Sequence, residues 1–382
     1  MDFSLPEELR IFQQSVRRFV DTELIPLEQT EPTGLLPATR DRLRALTREI
    51  GMWLLDVPEH LGGQGLSVLG QTIFWEEFSR SCATLPRDFY IIGPMPGAVL
   101  LQLKGELKER YLDPVIGGEK LPCFALTEPD AGTDPASMRT RAVRNGDHYV
   151  INGVKRFITD AEKADFAQLM ALTDPSKGSR GVSCILVDMD TPGVKVARQI
   201  PTMMGEMPCE VFFDNVRVPV TNRIGEEGEG FRLAQQWITL GRILRHGARA
   251  CGVAERCLEM GASYAKQRVT FGAPLASRQS IQWMLADTYT ELQAARHMVR
   301  HAAWKLDQGE DARTESHIAK MYSVEMGFKA ADRCMQIHGG IGLTTDLPVE
   351  RFWRNQRPYL ITEGAAEVMR MTVARHVLKH YS

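Results

Sequence analysis

The sequence lacks any run of about 18 apolar residues, so no membrane-spanning helix is expected. The formal net charge is only −2 over 382 residues, which gives no electrostatic reason to bind nucleic acid or an anionic membrane surface. The seven cysteines include no C-x-x-C pair, and such an odd, unpatterned set is typical of reduced thiols. The first residues, MDFSLPEELRIFQQ, contain no apolar signal segment. We therefore expect a cytoplasmic protein.

Several catalytic and binding motifs are also missing. The sequence contains no G-x-x-x-x-G-K-[ST], no G-x-G-x-x-G and no G-x-S-x-G, so phosphate-loop, Rossmann and serine-hydrolase sites lack support. His297 and His301 have the i, i+4 spacing of a metal pair on a helix. The H-E-x-x-H context and a third ligand are absent, which favours partly exposed helix histidines over a metal site.

The pattern of apolar residues changes twice along the chain. Residues 1–119 have helical spacing, as in SLPEELRIFQQSVRRFV, where Ser4 is a candidate N-cap. Residues 120–228 contain runs rich in β-branched and aromatic residues, such as HYVINGVKRFI. Residues 229–382 return to long helical patterns, which are typical of bundles and of oligomers. We predict a mainly α protein with a central β-domain, divided into an N-terminal helical, a middle β- and a C-terminal helical domain at these boundaries.

Two glycine-containing segments could hold a polar ligand. CFALTEPDAGTDPASM, at 123–138, combines hydroxyls, small residues and free backbone N–H groups where the β-segment begins. HGGIGL, at 338–343, follows a helix expected to end near Gln336 and permits close backbone approach. Taken alone, the first is equally consistent with a plain loop, and the second is more simply a helix stop.

ITEGAAEVMR, at 361–370, places one carboxylate before three small residues. Glu363 is followed by Gly364, Ala365 and Ala366, which leave the backbone bare beside a potential base. A helix starting at Gly364 would also leave N–H groups free for ligand oxygens. An exposed carboxylate at a helix start is the alternative.

Five segments in this order make the sequence similar to the acyl-CoA dehydrogenase family. They are TEPDAGTD, NGVKRFIT, QRVTFGAPLASRQ, QIHGGIGL and ITEGAAEVMR, and the likeness runs from the N-terminal helices to the last helix. The resemblance implies an N-terminal helical domain, a middle β-barrel and a C-terminal four-helix bundle. It also implies FAD as cofactor and a homotetramer built as a dimer of dimers.

The resemblance assigns two groups of residues to FAD. Phe124 to Thr133 and the Phe157-Ile158-Thr159 stretch would line the flavin, with the Thr127 hydroxyl near its reactive edge. Arg268, Phe271, Gln279 and the backbone near Gln336 would reach the FAD of a neighbouring subunit. The full implied cofactor-binding set is Phe124, Leu126, Thr127, Gly132, Thr133, Phe157, Ile158, Thr159, Arg268, Phe271, Gln279, Gln336, Gly339, Gly340, Ala365 and Glu367.

Glu363 matches the catalytic base of the family, and we expect burial to raise its pKa. Some members place their base on an earlier helix, but that position here is Arg242, which strengthens the assignment to Glu363. The family's Asp–x–x–Arg contact to CoA is not matched, so Arg242 or Arg245 is a candidate for that role. The implied substrate-binding residues are Thr133, Arg242, Arg245, Thr362 and Gly364.

Two smaller departures surround the base. Ala365 replaces a usual threonine, which removes one hydroxyl from the cofactor contacts. Thr362 replaces a usual tyrosine, which predicts a wider pocket that accepts branched or cyclic acyl groups.

The implied reaction is α,β-dehydrogenation of an acyl-CoA to the trans-2-enoyl-CoA. Glu363 would remove the α-proton, flavin N5 would take the β-hydride, and an electron-transferring flavoprotein would be the electron acceptor. Three alternatives stay open: a flavin oxidase or monooxygenase, an enoyl-CoA reductase, and a non-catalytic subunit that binds the thioester and FAD.

Overall fold

The computed structural model describes residues 4–84, 89–134 and 137–381 and confirms a mainly helical protein with a central sheet. The α-helices are α1 (Glu7–Phe19), α2 (Leu27–Thr30), α3 (Pro37–Glu49), α4 (Val68–Phe78), α5 (Gly97–Leu100), α6 (Gly105–Leu107), α7 (Asp113–Gly117), α8 (Gly230–Gly241), α9 (Arg249–Gln267), α10 (Gln279–Asp307), α11 (Arg313–His338), α12 (Val349–Gln356) and α13 (Ala366–His380). The strands are β1 (Pro122–Ala125), β2 (Arg141–Asn145), β3 (His148–Ile158), β4 (Phe166–Leu172), β5 (Val182–Asp188), β6 (Val194–Gln199), β7 (Cys209–Pro219), β8 (Arg223–Ile224), β9 (Val269–Thr270) and β10 (Ala273–Pro274).

The chain forms two compact units. The helical unit comprises Met1–Pro58, Gln64–Ile91 and Thr239–Ser382, and the strand unit comprises Glu59–Gly63 and Ile92–Ile238. The first helices therefore group with the long C-terminal helices, whereas α5, α6 and α7 group with the sheet. The three domains drawn at 1–119, 120–228 and 229–382 stay a prediction.

Ion pairs attach α4 to its neighbours within the helical unit. Glu77 accepts from Arg17 of α1 at 2.9 Å, and Glu76 accepts from Arg296 of α10 at 2.5 Å. Both carboxylates are almost fully buried, and a buried carboxylate is tolerated when it is paired in this way. Helices that are distant in sequence are thereby joined into one core.

The strand unit is built on one eight-stranded sheet. Its order is β6-β7-β3-β2-β4-β5-β8, with β1 pairing in parallel with β4. Every residue of β4 is buried, because alternate residues face two different cores. Leu169 faces a core formed with β3 and β7, whereas Met170 faces a core formed with α5, α7 and α8. The sheet is therefore covered on both faces at its centre.

A π-helical segment, Arg242–Ala248, joins α8 to α9 without a break. It lies in the longest stretch predicted to be helical, where the apolar pattern shows no interruption. π-helical turns inside α-helices are rare and are frequent at functional sites. Two other boundaries differ from expectation. The residue at the N-cap position of α1 is Pro6, which makes no side-chain capping bond, rather than Ser4, and α11 continues to His338 rather than ending near Gln336.

Candidate active site

Glu363 lies in the loop before α13 with a strained backbone. Its φ is +52°, in the left-handed region that non-glycine residues rarely adopt, and such strain is concentrated at functional sites. Gly364 follows with a φ of +99°, and a Cβ there would meet Met369 Cε at 2.6 Å. A glycine is therefore favoured by the backbone conformation, whereas the Met369 side chain could move to relieve the contact. The expected helix start at Gly364 is wrong, since α13 begins at Ala366.

The two oxygens of the Glu363 carboxylate have different surroundings. Oε1 accepts a hydrogen bond from Arg245 Nη2 at 3.1 Å. Oε2 is buried and has no hydrogen-bond partner within the described part of the chain, and His246 Nδ1 is 3.6 Å away from it. Gly241 provides the space for this arrangement, because a Cβ there would collide with Oε2 and with Arg245 Nη2. One oxygen is thus anchored and the other is available to a ligand.

The π-helical segment supplies the basic groups around Glu363. Arg242 Nε donates to the Glu363 carbonyl oxygen at 3.3 Å, and Arg242 Nη1 lies 3.3 Å from His317 Nε2. His317 Nδ1 lies next to the carbonyl oxygen of Arg313, to which it can only donate. The other ring nitrogen of His317, Nε2, is therefore the one that accepts a hydrogen bond from Arg242. Both Arg242 and Arg245, which the sequence singled out, therefore contact the loop that carries the candidate base.

Lys320 of α11 fixes the same loop from another side. Its Nζ donates to the carbonyl oxygens of Thr362 and Gly364, and the side chain is fully buried. The Thr362 hydroxyl pairs with His246 Nε2 at 3.1 Å. The backbone on both sides of Glu363 is thus held by one ammonium group.

The expected rise in the pKa of Glu363 is wrong. Burial acts to raise this pKa. The positive charges of Arg245, of His246 when it is protonated, and of Lys320 outweigh burial and lower the pKa of Glu363 to about 2. Burial lowers the pKa of His246 to about 3, so this imidazole is neutral near neutral pH. The carboxylate is consequently ionised across the physiological range.

Burial also shifts the other groups of the site. It lowers the pKa of Lys320 to about 7 and that of Arg242 to about 10, and it lowers the pKa of His317. Asp56 is a further carboxyl group that interacts with Arg245, and burial raises its pKa to about 6. Burial thus disfavours the charged form of each of these groups.

The predicted flavin-lining residues converge in the strand unit. Arg156 N donates to the Thr127 carbonyl at 2.8 Å, which joins the end of β3 to the loop after β1. Phe157 has a φ of +58° and is 52% exposed. Thr133 and Gly132 are exposed, whereas Ile158 is buried. An exposed aromatic ring beside loop hydroxyls and N–H groups suits a flat, polar-edged heterocycle such as a flavin.

A buried ion pair that the sequence reasoning missed holds this loop. Lys155 Nζ donates to Glu128 Oε1 at 2.8 Å and to the Leu126 carbonyl at 2.9 Å. Glu128 also accepts from the backbone N–H of Arg139 at 2.6 Å and of Thr140 at 3.0 Å. Burial acts to raise the pKa of Glu128, but Lys155 and these N–H groups outweigh it and lower that pKa. The pair ties the loop to β3.

The residues predicted to reach a neighbouring subunit lie on the surface of the helical unit. Arg268 directly follows α9, Phe271 lies at the tip of the β9–β10 hairpin and is 99% exposed, and Gln279 begins α10. A small core around Ala265, Ile281 and Ile337 brings the ends of α9, α10 and α11 together. Further exposed members of the set are Gln336, Gly339, Gly340 and Glu367, and Ala365 is half-buried.

Some of the site residues that the sequence reasoning missed could have been found from the sequence, and others could not. Glu128 and Lys155 stand inside the quoted motifs TEPDAGTD and NGVKRFIT, so a charge of each sign was visible there. Lys320 and Asp56 stand in ordinary sequence surroundings, and only the fold brings Lys320 to the Glu363 loop and Asp56 near Arg245. Among the residues that the structure describes, no cluster of His, Cys, Asp and Glu could hold a metal ion, and no helix is long and apolar enough to cross a membrane.

The chain is similar to acyl-CoA dehydrogenases over nearly its whole length. Residues 6–119, 123–216 and 228–378 match the family's N-terminal, middle and C-terminal domains. A caffeyl-CoA reductase–Etf complex subunit of Acetobacterium woodii is 35% identical, covering 98% of this chain and 99% of that protein. The structure of butyryl-CoA dehydrogenase from Megasphaera elsdenii has a TM-score of 0.86 and 33% identity, covering 99% and 100% of the two chains. A structure titled PigA with FAD and proline has a TM-score of 0.90 and 28% identity, covering 99% of each chain.

Proposed function

The chain belongs to the acyl-CoA dehydrogenase family, and from that premise we propose that it oxidises an acyl-CoA thioester to the trans-2-enoyl-CoA with Glu363 as the base. The observation that carries the proposal is the Glu363 carboxylate itself. It sits on a strained backbone, one oxygen is anchored by Arg245, and the other is buried without a partner in the described residues. A buried acceptor of this kind is costly unless a ligand uses it.

Glu363 would receive the α-proton of the substrate at Oε2. Arg245 at Oε1 fixes the direction of the carboxylate, and the Arg242 and Lys320 bonds to the flanking carbonyls fix its backbone. Positive charge in this position also favours the negative charge that develops on a thioester as its α-proton leaves. A carboxylate with a pKa of about 2 is a weak base, however. Efficient proton transfer therefore requires that bound substrate weaken the interaction of these cations with Glu363 and so raise its pKa.

FAD is the cofactor of this flavin-dependent oxidoreductase family, and the residues of the strand unit suit it. Thr127, Thr133 and the loop N–H groups would bind its polar edge, and Phe157 would cover a ring face. The Glu128–Lys155 pair would keep this loop in place. When bound, the flavin accepts the hydride that leaves the β-carbon of the substrate.

We propose a homo-oligomer in which FAD is shared. The exposed Arg268, Phe271 and Gln336 would then contact the cofactor of a neighbouring subunit, with the guanidinium matched to phosphate oxygens. An electron-transferring flavoprotein is the proposed electron acceptor, which the named Etf complex of the Acetobacterium relative supports.

The test is a screen of acyl-CoA thioesters under anaerobic conditions. The purified yellow protein should lose its flavin absorbance when mixed with a good substrate and should form the enoyl-CoA. Bleaching by no thioester across linear, branched, cyclic and carboxylated acyl groups would contradict the proposal.

Catalysis toward saturation is a second candidate, because a relative of 35% identity is named as a reductase. Flavin reduced by dithionite and mixed with enoyl-CoAs under anaerobic conditions distinguishes the directions. Faster reoxidation by enoyl-CoA than bleaching by the matching acyl-CoA would favour the reductase.

A further inference from the structure

Lys320 contacts the Glu363 loop through the backbone of that loop. Its side chain comes from α11, is fully buried, and donates from Nζ to the carbonyl oxygens of Thr362 and Gly364, the second at 2.5 Å. Arg242 Nε donates to the carbonyl oxygen of Glu363, which lies between them. Three consecutive peptide carbonyls thus accept hydrogen bonds from two buried basic side chains.

The two Lys320 bonds enclose the strained part of the loop. The Thr362 carbonyl belongs to the peptide unit before Glu363, and the Gly364 carbonyl belongs to the unit after Gly364. Between these two units lie only the backbone torsions of Glu363 and Gly364, whose φ values are +52° and +99°. Such a conformation is disfavoured for a non-glycine residue and persists where the surroundings impose it. Lys320 therefore lies where it can impose the conformation that directs the Glu363 side chain.

Stability alone does not account for an ammonium group at this position. Burial lowers the pKa of Lys320 to about 7, while the negative charge of Glu363 acts to raise it and Arg242 adds a smaller lowering. A lysine with a lowered pKa is one whose charged form the folded protein disfavours. A side chain that is never charged would avoid this cost, which points to a role of Lys320 in function.

Charged and titratable groups face Lys320 from three elements. Glu363 lies in the loop, Arg242 and His246 lie on the π-helical segment, and His317 precedes Lys320 by three positions on α11. The two imidazoles are buried with lowered pKa values and are neutral near neutral pH. The charge state of Lys320 is therefore set by burial, by Glu363 and by Arg242.

We propose that Lys320 is a positioning residue for the proposed reaction. By holding the peptide units on both sides of Glu363 and Gly364, its ammonium group keeps the Glu363 carboxylate directed at the α-carbon of a bound thioester. The inference rests on the proposed function and adds to it the residue that keeps the base in position. Lys320 itself transfers neither proton nor hydride. Its loss should slow the chemical step by about 100-fold without weakening substrate binding, because a small misplacement of a reacting group has an effect of that size.

The test compares Lys320→Met with the wild type, both loaded with FAD. Methionine keeps most of the side-chain length and removes the charge and the donor. With an acyl-CoA that bleaches the wild type, anaerobic bleaching at saturating substrate should be about 100-fold slower, while the half-saturating concentration should change by less than about threefold. Lys320→Gln, which keeps a neutral donor, should lie between the two. Lys329→Met is the control, because it makes the same substitution at an exposed position of α11 and should change neither quantity.

Thermal unfolding separates this role from a structural one. The pKa of Lys320 in the folded protein, about 7, is below its ordinary value of 10.5. Between these values the unfolded chain binds a proton that the folded chain lacks, so stability rises with pH. The unfolding midpoint of the wild type should therefore rise relative to that of Lys320→Met as pH increases from about 6 to about 9.

Near pH 6 the midpoint of Lys320→Met should stay close to that of the wild type. The variant loses two hydrogen bonds, but it also loses a charge that burial disfavours, and these changes offset each other. FAD content should likewise be retained, because the residues proposed to bind the flavin are unchanged. A slower chemical step in a protein of undiminished stability is the result expected of a positioning residue.

The outcomes distinguish the inference from the proposed function. Bleaching of Lys320→Met at the wild-type rate, or a loss confined to the half-saturating concentration, would overturn the inference and leave the proposed function standing. A slower rate together with lost FAD and a midpoint that is lower at every pH would also overturn it, because Lys320 would then be a structural residue. A wild type that no thioester bleaches would overturn the proposed function, and the inference with it.

Discussion

Glu363, the proposed base, shows which properties of such a residue are visible in the sequence. Its small neighbours and its motif point to the residue itself. Its charge environment was not predictable, because Arg245 is 118 positions earlier in the chain and Lys320 is 42 positions before Thr362, whose carbonyl it binds. Burial was expected to dominate its pKa, whereas folding brings cations from two other helices and reverses the shift. Local sequence thus indicates the group that reacts, and only the fold sets its basicity.

Arg245→Met tests this electrostatic balance. Losing the adjacent cation leaves burial as the main influence on Glu363, so its pKa should rise from about 2 to above its ordinary value of 4.5. Because the ionised form is the base, the acid limb of kcat/KM should move to higher pH. The measurement is kcat/KM against pH for a neutral acyl-CoA, with Arg245→Lys as the charge-retaining control. Superimposable acid limbs for the wild type and Arg245→Met would refute the balance described here.

Helices and strands were more predictable than the interruptions within them. The long α10 and α11, the fully buried β4 and the almost fully buried β5 follow from apolar patterns over many residues. The π-helical segment Arg242–Ala248 was not expected, because its residues fit an ordinary helical pattern. It nevertheless carries both arginines and His246 to the Glu363 loop, so the least predictable turn of this helix is the one that builds the site.

Lys155→Met tests how β3 holds the loop that is expected to contact the flavin. The substitution leaves Glu128 buried without its cation, which should destabilise the protein by about 3–5 kcal/mol. Glu128→Gln/Lys155→Met should be less destabilised than Lys155→Met, because the double variant has no unpaired buried charge. Thermal unfolding midpoints and FAD content should both follow this order. A double variant as damaged as the sum of the two single variants would show that the pair is not coupled.

At the scale of the whole molecule, the proposed assembly would use the surface of the helical unit. Phe271 is almost fully exposed on a hairpin with a positive φ, and Trp283, Leu343 and Tyr381 are further large side chains that are mostly exposed. Exposed apolar side chains mark an interface where they form one contiguous patch, and the proposed assembly would cover such a patch. The sequence predicted an oligomer from the length of its helices, and the number of subunits stays a prediction because a single chain carries no information about it.

Arg268→Ala tests the shared cofactor. If Arg268 binds the FAD of a neighbouring subunit, its removal should lower FAD content and also weaken assembly, because each subunit would lose part of a site at the interface. Light scattering coupled to gel filtration, with the flavin-to-protein absorbance ratio, measures both. Arg370→Ala, which removes an exposed arginine paired with Glu325, is the control and should change neither. A monomeric Arg268→Ala with full flavin would rule out the shared site.

The reaction assigned to the molecule depends on one carboxylate, and Glu363→Gln examines it most directly. Glutamine keeps the volume and one acceptor of the side chain and removes the negative charge, while the residues of the strand unit that are proposed to bind the flavin are untouched. The variant should retain FAD and should still bind a substrate of the parent. Stopped-flow anaerobic bleaching by that substrate should be slower by roughly a hundredfold to ten-thousandfold or more, the contribution of a positioned base. Bleaching at the parental rate would show that another group removes the α-proton and would contradict the account.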